Sequence, residues 1–115
     1  MNLEVEHNSA DHYELFTIKG NITVSTMSMI TSELNKITEW KPNKYLVLDL
    51  SKVTLIDSNG LGLIIREGNK FKNMKSMLYI LNPSQNVLKI LRETNMTKYL
   101  PVIDKIDQVS HKRKC

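Results

Sequence analysis

The sequence predicts an α/β fold: a single domain with a mixed β-sheet and helices in the order ββαβαβα(β)α. Three observations carry this. LEVEH at positions 3–7 alternates strictly, with Leu3 and Val5 on one side and Glu4 and Glu6 on the other, as a half-buried strand does. Between Met27 and Ile37 the period becomes helical, with Met27, Ile30, Leu34 and Ile37 on one face. YLVLDL at 45–50 is almost continuously apolar, the pattern of a central strand covered by helices on at least one face.

The remaining elements follow in order. NSAD at 8–11 carries turn chemistry, and HYELFTIK at 12–19 is a second strand, hairpinned to the first and closed by Gly20. The first helix runs from Thr23 or Ser25 to about Glu39, with Ser25 or Thr26 as its N-cap and Trp40-Lys41-Pro42-Asn43 as its stop. After the central strand and a short bridge, SKVTLI, a second helix spans roughly 59–73. Leu61, Ile64, Ile65 and Phe71 face inward, and Gly68 allows close approach to the sheet. MLYIL at 77–81 is a buried strand, and Asn82-Pro83-Ser84 caps a third helix with Val87, Ile90 and Leu91 inward. LPVI at 100–103 is a short strand before a closing helix from Asp104 to about His111. Alternating strands and helices of this length imply crossovers over a mixed sheet.

The chain's 115 residues suit one domain, and 41% hydrophobic residues suffice for one two-layer core. Residues 1–110 are expected to form that domain, and 111–115 a disordered basic tail. No run of about 18 apolar residues occurs, and the N-terminus has no apolar signal core, so the expected compartment is the cytosol. The single cysteine, Cys115, agrees with a reducing compartment and stands in the wrong place for prenylation. The net charge of +4 suggests nucleic acid only at first sight, because Lys112, Arg113 and Lys114 supply most of it. The nearly neutral body and the 6% aromatic content lack the basic, stacking surface that nucleic acid requires.

No catalytic constellation stands out. There is no GK[ST] to meet phosphates, Gly60-Leu61-Gly62 lacks the third glycine of a dinucleotide loop, and Ile56 stands where an esterase elbow needs glycine. His7 and His12 could face each other across the first hairpin, but no further ligand joins them. Asp49 and Asp57 flank a strand end without forming a carboxylate pair, and Met27 and Met77 read as core. Neither a cofactor nor a metal is called for.

The sharpest feature is the strand-to-helix junction Asp57-Ser58-Asn59-Gly60. Sites in open α/β sheets form beyond the carboxyl ends of strands, and the first amides of a helix favour negative charge. Ser58 can be read as an ordinary N-cap. It can equally be read as a phosphorylation site, because the helix end tolerates a phosphate that a docked partner does not. In the second reading Gly60 and Gly62 form a rim without side chains, over which a partner comes close.

VLDLSKVTLIDSNGLGLII resembles the signature of the STAS domain, above all that of bacterial anti-sigma factor antagonists. Those proteins carry an apolar strand, a short bridge and D-S-[ST]-G-L-G opening a helix. Gly20 and its turn, and VLKILRETNMTKYLPV, extend the similarity over nearly the whole chain. The resemblance implies a switch without catalysis. The unmodified antagonist would bind an anti-sigma factor that is also a serine kinase of the histidine-kinase-like ATPase fold, freeing the sigma factor. Phosphorylation of Ser58 would end that binding, and a serine phosphatase would reset it. Direct contact with nucleic acid or membrane is not implied. The implied partner surface comprises Asp57, Asn59, Gly60, Leu61 and Gly62, with Gly20, Asn21 and Thr23 from the nearby loop. Two positions depart from the family pattern: Asn59 replaces the usual second Ser or Thr, and Thr23 stands where Asp is common. The alternatives are a non-cycling STAS scaffold of a larger signalling assembly and, behind it, a small-molecule or nucleotide-binding domain at the same corner.

Overall fold

A computed structural model of the chain describes residues 3–37, 44–74 and 76–112. Alternating apolar residues lay β1 (Leu3–Ser9) antiparallel against β2 (Tyr13–Ile22), from Leu3 opposite Gly20 to Ser9 opposite Glu14. β1 outlasts the expected turn at Asn8 because the Ser9 hydroxyl donates to both carboxylate oxygens of Glu14, at 2.8 and 2.7 Å. β2 does not stop at Gly20 either. It passes through that residue at φ 122°, a conformation that suits glycine, and continues to Ile22.

Helix α1 (Met27–Leu34) buries Ile30 and Leu34, with Met27 and Ile37 packed beside them. It ends short of Glu39 because bonding tightens from Asn35 onto Thr31 to Lys36 onto Glu33 and Ile37 onto Leu34, one residue less per turn. The expected stop at Trp40–Asn43 lies outside the described residues.

β3 (Tyr45–Ile56) takes in the whole of SKVTLI, which is strand rather than bridge. Its pairing with β2 slips between Thr17 and Lys19 and again between Gly20 and Asn21, so β3 carries extra residues at two bulges. Each bulge resets the pleat, and Leu50, Val53 and Ile56 all reach the same core despite a spacing of three. Asp49 accepts from the Ser51 amide and hydroxyl, at 3.0 and 2.7 Å, at the first of these bends.

Helix α2 (Ser58–Asn73) follows, then β4 (Leu78–Leu81), α3 (Gln85–Glu93), a short 3-10 turn at Met96–Lys98, β5 (Val102–Ile103) and α4 (Asp107–Lys112). Gly68 of α2 makes its close approach to Leu100, just before β5, where an added Cβ would lie 3.0 Å from Cδ2. α3 buries Val87 and Leu91 and leaves Ile90 half-buried. α4 starts later than Asp104 because the Gln108 side chain accepts from the Asp104 and Lys105 amides and holds them in a turn. Residues 113–115 of the expected basic tail lie outside the described residues.

The sheet order is β1-β2-β3-β4-β5, parallel except for β1. The crossovers place α1, α2 and α3 on one face, over Phe16, Ile18, Leu48 and Ile80. The short α4 covers part of the other face, where Val109 and Ile106 meet Val47, Tyr79 and Ile103. The carboxyl ends of β2 and β3 therefore stand side by side at one rim of the sheet, and α2 begins there.

Candidate functional site

That rim is assembled around Asp57. Its backbone amide donates to the Ile22 carbonyl at 3.2 Å, joining the end of β3 to the end of β2. Its carboxylate Oδ1 accepts from the Gly60 amide at 2.8 Å and caps α2. Oδ2 accepts from the Val24 amide at 3.4 Å and ties down the loop before α1. Asp57, not Ser58, is thus the N-cap.

Ser58 is the first helical residue. It is exposed, and among the described residues its hydroxyl makes no hydrogen bond. Asn59 is exposed beside it. The arrangement leaves an unengaged hydroxyl above helix amides that favour negative charge.

Gly60 has a different place from the one its sequence neighbours suggest. It is buried, and a Cβ there would lie 2.2 Å from the Ile22 carbonyl oxygen. It serves the close seating of the first turn of α2 on the end of β2 rather than an open rim. Leu61 is also buried, in the main core. Gly62 alone fits the expected bare rim, since a Cβ at that position meets nothing within 4 Å.

The loop residues Asn21 and Thr23 are brought to the same corner. The buried Thr26 hydroxyl donates to the Asn21 carbonyl at 2.7 Å and accepts from the Thr23 amide at 3.0 Å. The Thr23 and Ser25 hydroxyls are 3.2 Å apart at the surface. Gly20 stands further back, inside the strand pairing, and shapes the corner without facing out from it.

Two residues escaped the sequence reading. Val24 is 66% exposed and Leu55 is 48% exposed, and both border the corner, Val24 through its bond to Asp57 and Leu55 opposite Asn21. Nothing in a β-branched loop residue or a strand leucine distinguishes an exposed apolar side chain from a core one. From Val24 an open groove of about 730 Å³ continues along α1 past Met27, Ser28 and Thr31. A surface of this kind, apolar with hydroxyls and few charges, suits protein contact.

The possible histidine pair does not form. The hairpin register sets His7 opposite Phe16, on whose ring it stacks with centroids 4.3 Å apart. The His7 Nε2 lies 2.5 Å from Glu14 Oε1, and Lys44 Nζ lies 2.6 Å from Oε2. Burial pushes the Glu14 carboxyl up, but hydrogen bonds from Lys44, Ser9 and His7 and the Lys44 charge outweigh it and hold the group below its ordinary value. This cluster lies at the other end of β2 from Asp57. Among the described residues, no three His, Cys, Asp or Glu side chains are grouped to hold a metal, and no helix is long and apolar enough to cross a membrane.

The model of the STAS domain matches residues 3–109. The chain is 22% identical over 102 residues to the anti-sigma-B factor antagonist of Listeria monocytogenes, covering 89% of this chain and 88% of that one. An anti-sigma factor antagonist from Mycobacterium paratuberculosis superposes with a TM-score of 0.81 at 16% identity, over 96% of this chain and 93% of the other. The anti-sigma factor antagonist SpoIIAA in its unphosphorylated form gives 0.72 at 13% identity, over 99% and 98%. The five-stranded sheet with β1 antiparallel, the helix opening at Asp57 and the match over almost the full length agree, and the chain belongs to the STAS domain family.

Proposed function

We propose that this protein is an anti-sigma factor antagonist switched by phosphorylation of Ser58. Unmodified, it binds an anti-sigma factor that carries a serine kinase of the histidine-kinase-like ATPase fold, and so frees a sigma factor. Within that complex the Ser58 oxygen attacks the γ-phosphorus of ATP. The new O–P bond forms as the bond to ADP breaks, and the hydroxyl proton passes to a base of the kinase. A serine phosphatase hydrolyses the phosphoserine and restores the binding form. The protein acts as a binding module and supplies no catalysis of its own.

The observation that carries this reading is the state of Ser58: exposed, at the first position of α2, with its hydroxyl left unengaged because Asp57 does the capping. A phosphate here adds about −1.5 to −2 charges next to amides that favour them, so the domain keeps its fold. A partner packed on Val24, Leu55 and Gly62 meets the same dianion as a bulky, hydrated obstacle. A penalty of only about 4 kcal/mol weakens binding roughly a thousandfold. The names of relatives such as the Listeria antagonist point the same way.

The test is incubation with the cognate kinase and ATP, followed by intact-mass measurement. One phosphoryl group should appear on the wild type and none on Ser58→Ala, and Ser58→Glu should bind the kinase far more weakly. Labelling that persists in Ser58→Ala, or undiminished binding by Ser58→Glu, overturns the assignment and leaves a non-cycling scaffold.

A further inference from the structure

Asn59-Gly60 is the dipeptide in which an asparagine side chain most readily closes on the next backbone nitrogen, because glycine has no side chain to hinder the approach. In that reaction the deprotonated Gly60 nitrogen attacks Asn59 Cγ. A new N–C bond forms, the Cγ–Nδ2 bond breaks, and ammonia leaves with a succinimide behind it. Water then opens the ring to aspartate or isoaspartate. Asn59 is exposed, so water and base reach it. The nucleophile is not available, however. The Gly60 N–H is bound to Asp57 Oδ1 at 2.8 Å, and both residues are fixed in the first turn of α2, whose helical backbone disfavours ring closure.

We propose that Asn59-Gly60 is a latent deamidation site guarded by Asp57, and that its reaction places a permanent carboxylate beside Ser58. The carboxylate of an aspartate at position 59 lies in the first turn of α2, where helix amides stabilise it and the fold tolerates it. The isoaspartate product differs. It inserts an extra backbone carbon next to Gly60, which has no slack because even a Cβ would meet the Ile22 carbonyl at 2.2 Å. One product therefore mimics part of the charge of phosphorylation, and the other loosens the contact of the first turn of α2 with the end of β2. The consequence for binding rests on the switch proposed for Ser58; the chemistry at Asn59 does not.

Two measurements separate these parts. Wild type, Asp57→Asn and Asp57→Ala are aged at mildly alkaline pH, and Asn59 conversion is followed by peptide mass and by isoaspartate methyltransferase labelling. Circular dichroism checks that each is folded. Asparagine is itself a good cap, so Asp57→Asn should stay protected, while losing the cap in Asp57→Ala should speed conversion about five- to tenfold through opening of the first turn. A synthetic peptide spanning positions 54–65 sets the unguarded rate. Conversion in the folded wild type as fast as in the peptide, or no faster in folded Asp57→Ala than in wild type, overturns the guard. Should Asp57→Ala unfold, the comparison of wild type with peptide decides alone. Kinase binding by Asn59→Asp is then set beside Ser58→Glu. If Ser58→Glu weakens binding and Asn59→Asp leaves it unchanged, the mimicry fails; if neither weakens it, the switch itself is wrong while the guarded site stands.

Discussion

Two strand-to-helix junctions in this sheet each carry a serine, and they use it in opposite ways. At the start of α3, Ser84 is the N-cap: its hydroxyl accepts from the Val87 amide at 3.4 Å and donates to the Val53 carbonyl at 2.6 Å. At the start of α2 the cap is Asp57, and Ser58 lies one residue further on with its hydroxyl in solvent. A single position along the chain separates a structural hydroxyl, bonded on both sides, from one open to modification. Adding a phosphate to Ser84 would break a staple between α3 and β3, whereas adding one to Ser58 breaks nothing. The difference makes one junction part of the scaffold and the other its exposed working surface.

Substitutions at the two junctions should separate these roles. The largest effect is expected from Gly60→Ala, whose added methyl meets backbone at Ile22 that cannot rotate away. A loss of about 3 kcal/mol is expected from overpacking. Chemical denaturation monitored by circular dichroism measures it, and a loss below ~1 kcal/mol would mean that the two elements slide apart freely. Next come the caps: Asp57→Ala and Ser84→Ala should each lose about 1–2 kcal/mol in the same experiment. Gly62→Ala faces open space, and replacing a helical glycine should stabilise by roughly 0.5–1 kcal/mol. Ser58→Ala should fall within about 0.5 kcal/mol of wild type. A loss at Ser58 equal to that at Ser84 would erase the contrast on which the switch rests.

The contrast explains how far the sequence could be read. Element order was legible because periods of two and 3.6 are imposed by burial on one face, and Leu3, Val5, Ile30 and Leu34 all obey them. The reach of β3 was not. Leu50, Val53 and Ile56 recur at a spacing that belongs to neither period, because two bulges reset the pleat between them. Asp, Ser and Asn are similar in strength as caps, so composition located the α2 cap only to within a residue. What decides the matter is tertiary: Gly60 must sit against Ile22, and the residue three before it is Asp57. The exposure of Val24 and Leu55 was equally hidden, since it depends on which elements fail to cover them.

The opposite end of β2 sharpens the comparison further. There Glu14 is only 6% exposed and is engaged by Lys44, Ser9 and His7, as fully occupied as Ser58 is unoccupied. Burial raises its pKa, but those partners prevail and leave it below the ordinary 4.5. A lowered carboxyl pKa means that the unfolded chain binds the proton first as pH falls, so stability drops with acidification. The contribution is whole above 4.5 and disappears as pH falls through the lower folded value. Denaturation midpoints taken from neutral pH downward should show this slope in wild type and in Ser58→Ala, and a shallower one in Glu14→Gln. Hydrogen exchange should place the loosening that depends on Glu14 in β1, whose pairing Ser9 and His7 anchor through Glu14. An unchanged slope in Glu14→Gln, or loosening of β1 that persists in that variant, would move the acid sensitivity elsewhere.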